Sequence, residues 1–263
     1  MKRIASARLQ LEALQPARLI LSVAAATGLQ SVETLQVRQG ARTVPVREII
    51  DDHGTRLHVC DVQEGAVAVR YDVTVTGQAA PAEVTETDRV RYLRPSRYCE
   101  SDSLGALARA EFAGLSGTDL LAGVSSWVGQ KLSYVPGASL PTDGAVRTLI
   151  ARQGVCRDYA HLVAALLRAV DVPARVVSVY APGLNPMDFH AVAEALVGDV
   201  WNVVDATTLA PRQALVRLAT GRDAADTAFL TTIGGMVLLN ELEVTATVDV
   251  LPRDDVRELV QLR

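Results

Sequence analysis

The sequence predicts an α+β protein in which a small antiparallel β-sandwich domain precedes a mixed core of helices and strands. Three observations carry that expectation. Apolar and polar side chains alternate through the first eighty residues, the period changes to that of helices from Ser103, and alternation returns from Arg175. A period of two marks strands with one wet face, and a period near 3.6 marks amphipathic helices.

Taken in chain order, alternating runs fall at residues 8–12, 35–38, 56–59 and 66–75. Turn chemistry separates them at Thr27-Gly28, Gln39-Gly40, Asp51-Asp52-His53-Gly54 and Glu64-Gly65. Short strands at such spacing, with no helical run among them, suit a sandwich or barrel. Small and polar residues then take over between Gly77 and Pro81, and residues 88–100 are dense in arginine and tyrosine, as a docked linker would be. Leu104, Leu107, Ala108 and Phe112 open a helix behind a Ser/Asp cap, and Leu120, Leu121, Val124, Trp127 and Val128 mark a second over residues 119–132. A loop at Pro136-Gly137-Ala138 leads to a third short helix over residues 145–152, which Gly154 ends.

Composition narrows the function classes. With 26 basic and 30 acidic side chains the formal net charge is −4, unlike the strongly basic domains that coat nucleic acid. Apolar residues make up 49% and charged residues 21%, so the chain is globular rather than disordered. Only three cysteines are present, too few for a disulfide scaffold. The longest apolar stretch of the first third, residues 19–26, is far short of the ~20 residues a membrane helix needs, and no membrane partner is expected. Polar residues from Arg8 to Arg18 interrupt any signal-peptide core, so a reducing, cytoplasmic setting is expected.

The most informative stretch is Gly154-Val155-Cys156-Arg157-Asp158-Tyr159-Ala160-His161. Ala160, Val163, Ala164, Leu167 and Val170 behind it form a helical stripe that Val172-Pro173 closes. Cys156 therefore sits in a first helical turn, where unpaired N–H groups and the helix dipole favour thiolate, the nucleophilic form. Gly154 is read as removing a Cβ where a substrate backbone approaches. A strand follows at residues 175–180, then a loop, then Phe189 to Val197, a Gly198-Asp199 turn and a return strand, Val200 to Asp205. A two-residue turn places Val197 opposite Val200 and His190 opposite Thr207, which makes Asp205 the diagonal neighbour of His190. A nucleophile, a base and an orienter in these roles form a triad for acyl transfer. The Cys156 backbone N–H is one oxyanion donor, and Gln153, Trp127 and Tyr134 are candidates for a second.

These residues carry a resemblance. The run from Gly154 to Leu162, Val172-Pro173-Ala174-Arg175, Phe189-His190-Ala191 and Asp205-Ala206-Thr207 resembles the bacterial transglutaminase-like superfamily, and so do Pro95-Ser96-Arg97-Tyr98 and Tyr134-Val135-Pro136-Gly137. The resemblance covers roughly residues 90–235. It implies a papain-like α+β core whose cysteine, histidine and aspartate match Cys156, His190 and Asp205, behind a β-domain. The chain departs from the pattern at Val192, where members often carry an aromatic residue, and at Ala206, where many carry proline. The expected organisation is a β-sandwich-like domain over residues 1–80, a docked linker over 81–102 and a transglutaminase-like catalytic domain over 103–263.

The expected activity is attack on an amide or peptide bond through a Cys156 thioester, as a transglutaminase-like protein or a cysteine protease or amidase. Its partner is a peptide or protein substrate. Hydrolysis and transamidation share every residue named, and the acyl donor and the oligomeric state stay open. The alternative is a catalytically idle papain-like domain used for binding or scaffolding. No CxxC or HxxxH spacing supports a metal site, and His161, five residues after Cys156, is read as a wall residue near Asp158. No Gly-x-Ser-x-Gly elbow and no phosphate loop appear, so no cofactor is expected. Asp199, Arg222, Asp223 and Asp226 read as helix caps and surface ion pairs. Residues 236–239 and 242–250 are expected to complete the core sheet, and residues 252–263 to form a short terminal helix.

Overall fold

The computed structural model describes residues 1–263. Seven strands come first: β1 (Lys2–Ala13), β2 (Ala17–Leu21), β3 (Gln30–Gln39), β4 (Arg42–Thr43), β5 (Arg47–Ile50), β6 (Arg56–Val62) and β7 (Gly65–Thr76). Alternation sets their faces. In β7, Val67, Val69, Tyr71, Val73 and Val75 are buried while Ala66, Arg70 and Thr76 face outward. Helices α1 (Glu86–Arg91), α2 (Ser101–Glu111) and α3 (Gly117–Lys131) follow, then β8 (Ser133–Tyr134), α4 (Ala145–Ala151), β9 (Gln153–Gly154) and α5 (Cys156–Arg168). The chain continues through β10 (Ala174–Tyr180), β11 (Phe189–Val197), β12 (Val200–Val204), β13 (Val216–Gly221), α6 (Ala224–Thr227), β14 (Leu230–Ile233) and β15 (Val237–Val248). No helix is long and apolar enough to cross a membrane.

The fold is α+β, a core of helices packed on a sheet together with a β-sandwich. In the core, α5 is buried along nearly its whole length, among α2, α3 and α4 and against the sheet β12-β11-β10-β13. Its apolar stripe is packed into this core, while the polar Asp158, His161 and Arg168 are buried with it. The sandwich stacks a five-stranded sheet, β15-β1-β7-β3-β4, on a four-stranded one, β14-β2-β6-β5.

Those two sheet orders correct the expected organisation. The segments expected to complete the core sheet, residues 236–239 and 242–250, form the single strand β15 of the sandwich instead, and residues 103–263 are not one continuous domain. β14 pairs with β2 through Leu230 and Leu21, and β15 pairs with β1 from Arg3 opposite Val248 to Ala13 opposite Val237. The physical reason lies in β1, whose second edge needs hydrogen-bond partners once β7 has taken the first. Val244 and Ala246 of β15 add buried apolar surface to the sandwich interior. The sandwich is thus built from both ends of the chain.

Two smaller expectations also change. Part of the linker is the helix α1, opened by a capping box in which Thr85 and Asp88 exchange backbone and side-chain hydrogen bonds. Residues 252–263 form a strap rather than a helix. Arg212 binds both carboxylate oxygens of Asp254 and the Asp255 carbonyl, the Val203 N–H donates to the Val260 carbonyl at 2.7 Å, and Val260 and Leu262 are buried. The strap thereby covers β12, the edge of the core sheet.

Core and sandwich share a packed boundary. Tyr180 stacks on Tyr71 at 6.3 Å and its hydroxyl donates to the Val23 carbonyl at 2.8 Å. Nearby, the buried Glu194 carboxylate receives Arg175 and Arg217, each at 2.7 Å. Burial pushes that carboxylate up, but the two guanidinium groups outweigh it and hold Glu194 down to about 2. Arg175 also meets the His53 ring, whose other nitrogen lies 3.1 Å from Asp88, so turn, linker helix and core sheet are joined.

Truncating the chain after Phe229 removes β14, β15 and the strap together. Both sandwich sheets then lose an edge, and the loss takes a large share of the roughly 5–15 kcal/mol that holds a domain folded. The expected outcome in thermal denaturation is loss of cooperative unfolding; a truncated chain that melts as the full one does would contradict the shared sandwich.

Candidate active site

The N-terminus of α5 is built by one carboxylate. Asp158 is buried, its Oδ2 accepts the Val155 N–H at 2.8 Å, and its Oδ1 accepts the Ser139 hydroxyl at 2.9 Å. Arg157 donates to Ser139 at 2.7 Å and to the Leu140 carbonyl at 2.9 Å, which pins the 135–144 loop to the helix start. Gly154 serves this arrangement. A Cβ there would stand 2.7 Å from the Asp158 Cβ, so glycine makes room for the capping side chain rather than for substrate. With the helix start fixed, Cys156 occupies its first position, half-buried. Cys60 and Cys99 are buried away from solvent, and burial pushes their thiols up to about 11 and about 12.

His190 lies near the start of β11, opposite Val179 of β10, with its side chain fully buried. Its Nε2 meets Asp205 Oδ2 at 2.8 Å. Nδ1 has no hydrogen-bond partner, and the Cys156 sulfur is among the neighbours whose presence raises the ring. Val197 pairs with Val200 as the turn requires, but the ladder stops at Ala193 opposite Val204. Asp205 therefore reaches His190 from the turn after β12, not from a continued strand. There its Oδ1 accepts both the Thr207 N–H at 2.9 Å and the Thr207 hydroxyl at 2.7 Å. Thr208, next in the chain, has φ of 54°, a left-handed conformation that is strained for a β-branched residue.

The electrostatics follow from these contacts. Burial alone would push the His190 ring toward neutrality, but the Asp205 carboxylate and the Cys156 sulfur reverse it and raise the ring to about 10. Asp205 is shifted the other way: burial opposes its charge, and His190 with the Thr207 donors outweighs that and lowers it.

Of the three candidate second donors, the structure brings Tyr134 to the thiol. Its hydroxyl is close enough to Cys156 to be acted on by it, and burial, reinforced by that neighbour, pushes it up to about 12. Pairing of β8 with β9, Tyr134 opposite Gly154, sets that approach. Gln153 is exposed on β9. Trp127 is not part of the site, because its indole N–H donates to Glu111 at 2.8 Å and its ring packs edge-on against Phe112.

His161 is likewise structural: fully buried, stacked on Tyr98, accepting the Ala224 N–H at 3.1 Å, and held down to about 3 by burial. Asp223 caps α6 and Arg222 pairs with Asp226. Two contributors escaped the sequence reading. Thr207 was visible as an Asp-x-Thr turn. Gly129 on α3 was not, since only the fold shows that a Cβ there would lie 2.9 Å from the Ala206 carbonyl.

Comparison with known proteins agrees with this architecture. The model of the transglutaminase-like superfamily matches residues 114–206, a span that contains Cys156, His190 and Asp205. The solved structure of a candidate cysteine protease from Cytophaga hutchinsonii is 31% identical, with a TM-score of 0.86 over 99% of this chain and 96% of that one. An uncharacterized protein of Mycobacterium leprae is 30% identical over 113 residues, and the match spans 39% of this chain and 39% of that protein. The periplasmic domain of TgpA from Pseudomonas aeruginosa is 21% identical, with a TM-score of 0.45 over 78% of this chain and 90% of that one.

Gly154→Ala forces Asp158 off the helix start. The expected cost is roughly 1–3 kcal/mol in chemical denaturation, as for other overpacked sites, with faster proteolysis of the 135–144 loop; unchanged stability would show that Asp158 does not need the space.

Proposed function

Because this chain belongs to the transglutaminase-like superfamily, we propose that it is a thiol-dependent acyl-transfer enzyme acting on amide or peptide bonds. One observation carries the reading: a half-buried cysteine at a helix N-terminus faces a buried histidine whose far nitrogen is held at 2.8 Å by an aspartate. The description of the Cytophaga structure as a candidate cysteine protease supports a peptide or protein substrate.

The geometry suggests a sequence of steps. The Cys156 sulfur attacks the carbonyl carbon, a carbon–sulfur bond forms, and the carbonyl electron pair moves onto oxygen. Two donors meet that oxygen, the Cys156 N–H and the Tyr134 hydroxyl, which turns from the backbone to the substrate. Asp205 accepts from Nε2–H, so Nδ1 is the nitrogen that moves the proton. Nδ1–H protonates the leaving amine, the carbon–nitrogen bond breaks, and a thioester remains. Neutral His190 then takes a proton from water or from a primary amine, whose attack releases the sulfur as thiolate. Water gives hydrolysis and an amine gives transamidation.

Iodoacetamide near neutral pH is expected to label Cys156 before Cys60 or Cys99, and Cys156→Ala to abolish both labelling and turnover of peptide amides. Incorporation of a fluorescent primary amine into a peptide amide separates transamidation from hydrolysis. First reaction at Cys60 or Cys99 would overturn the assignment.

The charged pair also sets a pH dependence. A ring raised in the folded state stabilises the fold fully below about 6.5, its unfolded value, and this contribution is lost as pH rises through about 10. The stability gap between the native chain and His190→Gln should therefore narrow over that window. Cys156→Ala removes one of the two groups that raise the ring, and the His190 titration followed by NMR should move down; an unmoved titration would mean that the sulfur does not act on the ring.

A further inference from the structure

Beside the triad lies a cavity of about 240 Å³ that the steps above do not use. Ser126 of α3, Tyr134 of β8, Tyr159 of α5 and the Thr207-Thr208 turn supply its walls, and Val256 of the C-terminal strap closes another side. Its position is tied to the chemistry at two points. Tyr134 reaches Cys156, and Thr207 donates to Asp205.

The lining carries hydroxyls and small apolar groups, with no carboxylate, ammonium or guanidinium among them. Neighbouring ions lie outside the lining: Asp205 is engaged with His190 and Thr207, Arg212 with Asp254 and the Asp255 carbonyl, and Asp188, whose charge acts on Tyr134, accepts the Phe189 N–H and neighbours His190. Pockets for whole small ligands run to about 300–1,000 Å³, so this one suits a single side chain. A charged head group entering it would shed its hydration and find no counter-ion.

We infer that this cavity is the subsite for the side chain of the residue that donates the acyl group, and that it admits small uncharged side chains and rejects charged ones. The inference rests on the acyl-transfer reading. It makes Val256 a specificity-determining residue, although it belongs to a strap remote from the triad in sequence. The strap's role is then to complete the substrate surface as well as to cover a sheet edge.

Dipeptidyl chloromethyl ketones test this in the full chain, because they form a carbon–sulfur bond with a thiolate and release chloride whatever the later fate of a thioester. The series differs only in the residue bearing the reactive ketone: alanine, serine or threonine against aspartate, lysine or arginine. Rates are normalised to that of iodoacetamide, which has no side chain to place. The uncharged members should inactivate at least roughly tenfold faster than the charged ones, a discrimination within the range pocket contacts supply. Val256→Glu and Ser126→Glu each place a carboxylate in the wall from an exposed position. Each should raise the lysine and arginine members about tenfold relative to alanine, and Ser126→Glu does so from a helix should the strap detach in the other variant. Equal rates across the series, with Cys156 still taking iodoacetamide, would overturn the subsite and leave the acyl-transfer reading standing. Failure of Cys156 to react with either reagent would overturn that reading and the subsite with it.

Discussion

The site depends on how the Asp205 carboxylate is held. It is buried where an isolated charge would be costly, yet both oxygens are occupied, one by His190 and the other twice by Thr207. Because the Thr207 donors fix one oxygen, the other has a single direction left, and that direction fixes the imidazole. The ring's Nδ1 is left without a hydrogen-bond partner, which frees it for the role proposed with Cys156. A carboxylate free to rotate would not determine which nitrogen meets the sulfur.

Each partner in this chain is delivered by a different kind of structure. The sulfur comes from a helix start that Asp158 caps, the imidazole from an interior strand, and the carboxylate from a turn. What keeps these three in register is the packing of α5 against β11 and the close approach of α3 to the Ala206 carbonyl, which glycine at position 129 permits. On the far side of the sheet, Arg175, Glu194 and Arg217 tie the strands to the β-sandwich. A buried ion cluster of this sort does more to specify one docking geometry than to stabilise it, since desolvating three charges offsets much of their attraction.

Much of this was legible in the sequence, for reasons that can be named. Alternation located β1, β3 and β7 by their one wet face, and β6 as well, although its His58, Val59 and Cys60 are buried in succession. The two-residue turn at Gly198-Asp199 set the β11–β12 register, but the ladder ends at Ala193 opposite Val204, so Asp205 meets His190 from the turn beyond it rather than through the register. The Cys156 helix start was legible from the apolar stripe behind it. Alternation identifies a strand without naming its neighbour, and so residues 236–239 and 242–250, which form the single strand β15, were assigned to the wrong sheet, while β14 went unread. The role of Gly154 was misjudged because its constraint comes from a side chain one helical turn on, not from the solvent side. The Thr85-to-Asp88 capping box that opens α1 was present in the sequence and was overshadowed by the arginines around it. The strap was unreadable from charge alone, since Arg212, which clamps it, lies some forty positions earlier.

The partnership of β1 with β15 has a consequence for how the protein is made. The strand that covers the second edge of β1 is synthesised only after the whole helical core, and β14 reaches β2 only shortly before it. While the core is being made the nascent chain therefore carries bare strand edges that no local segment covers, and closure waits on contacts far apart in sequence. Topology of this kind slows folding and leaves intermediates open to aggregation, so holdase chaperones acting until release would bear directly on the yield of this protein in a cell.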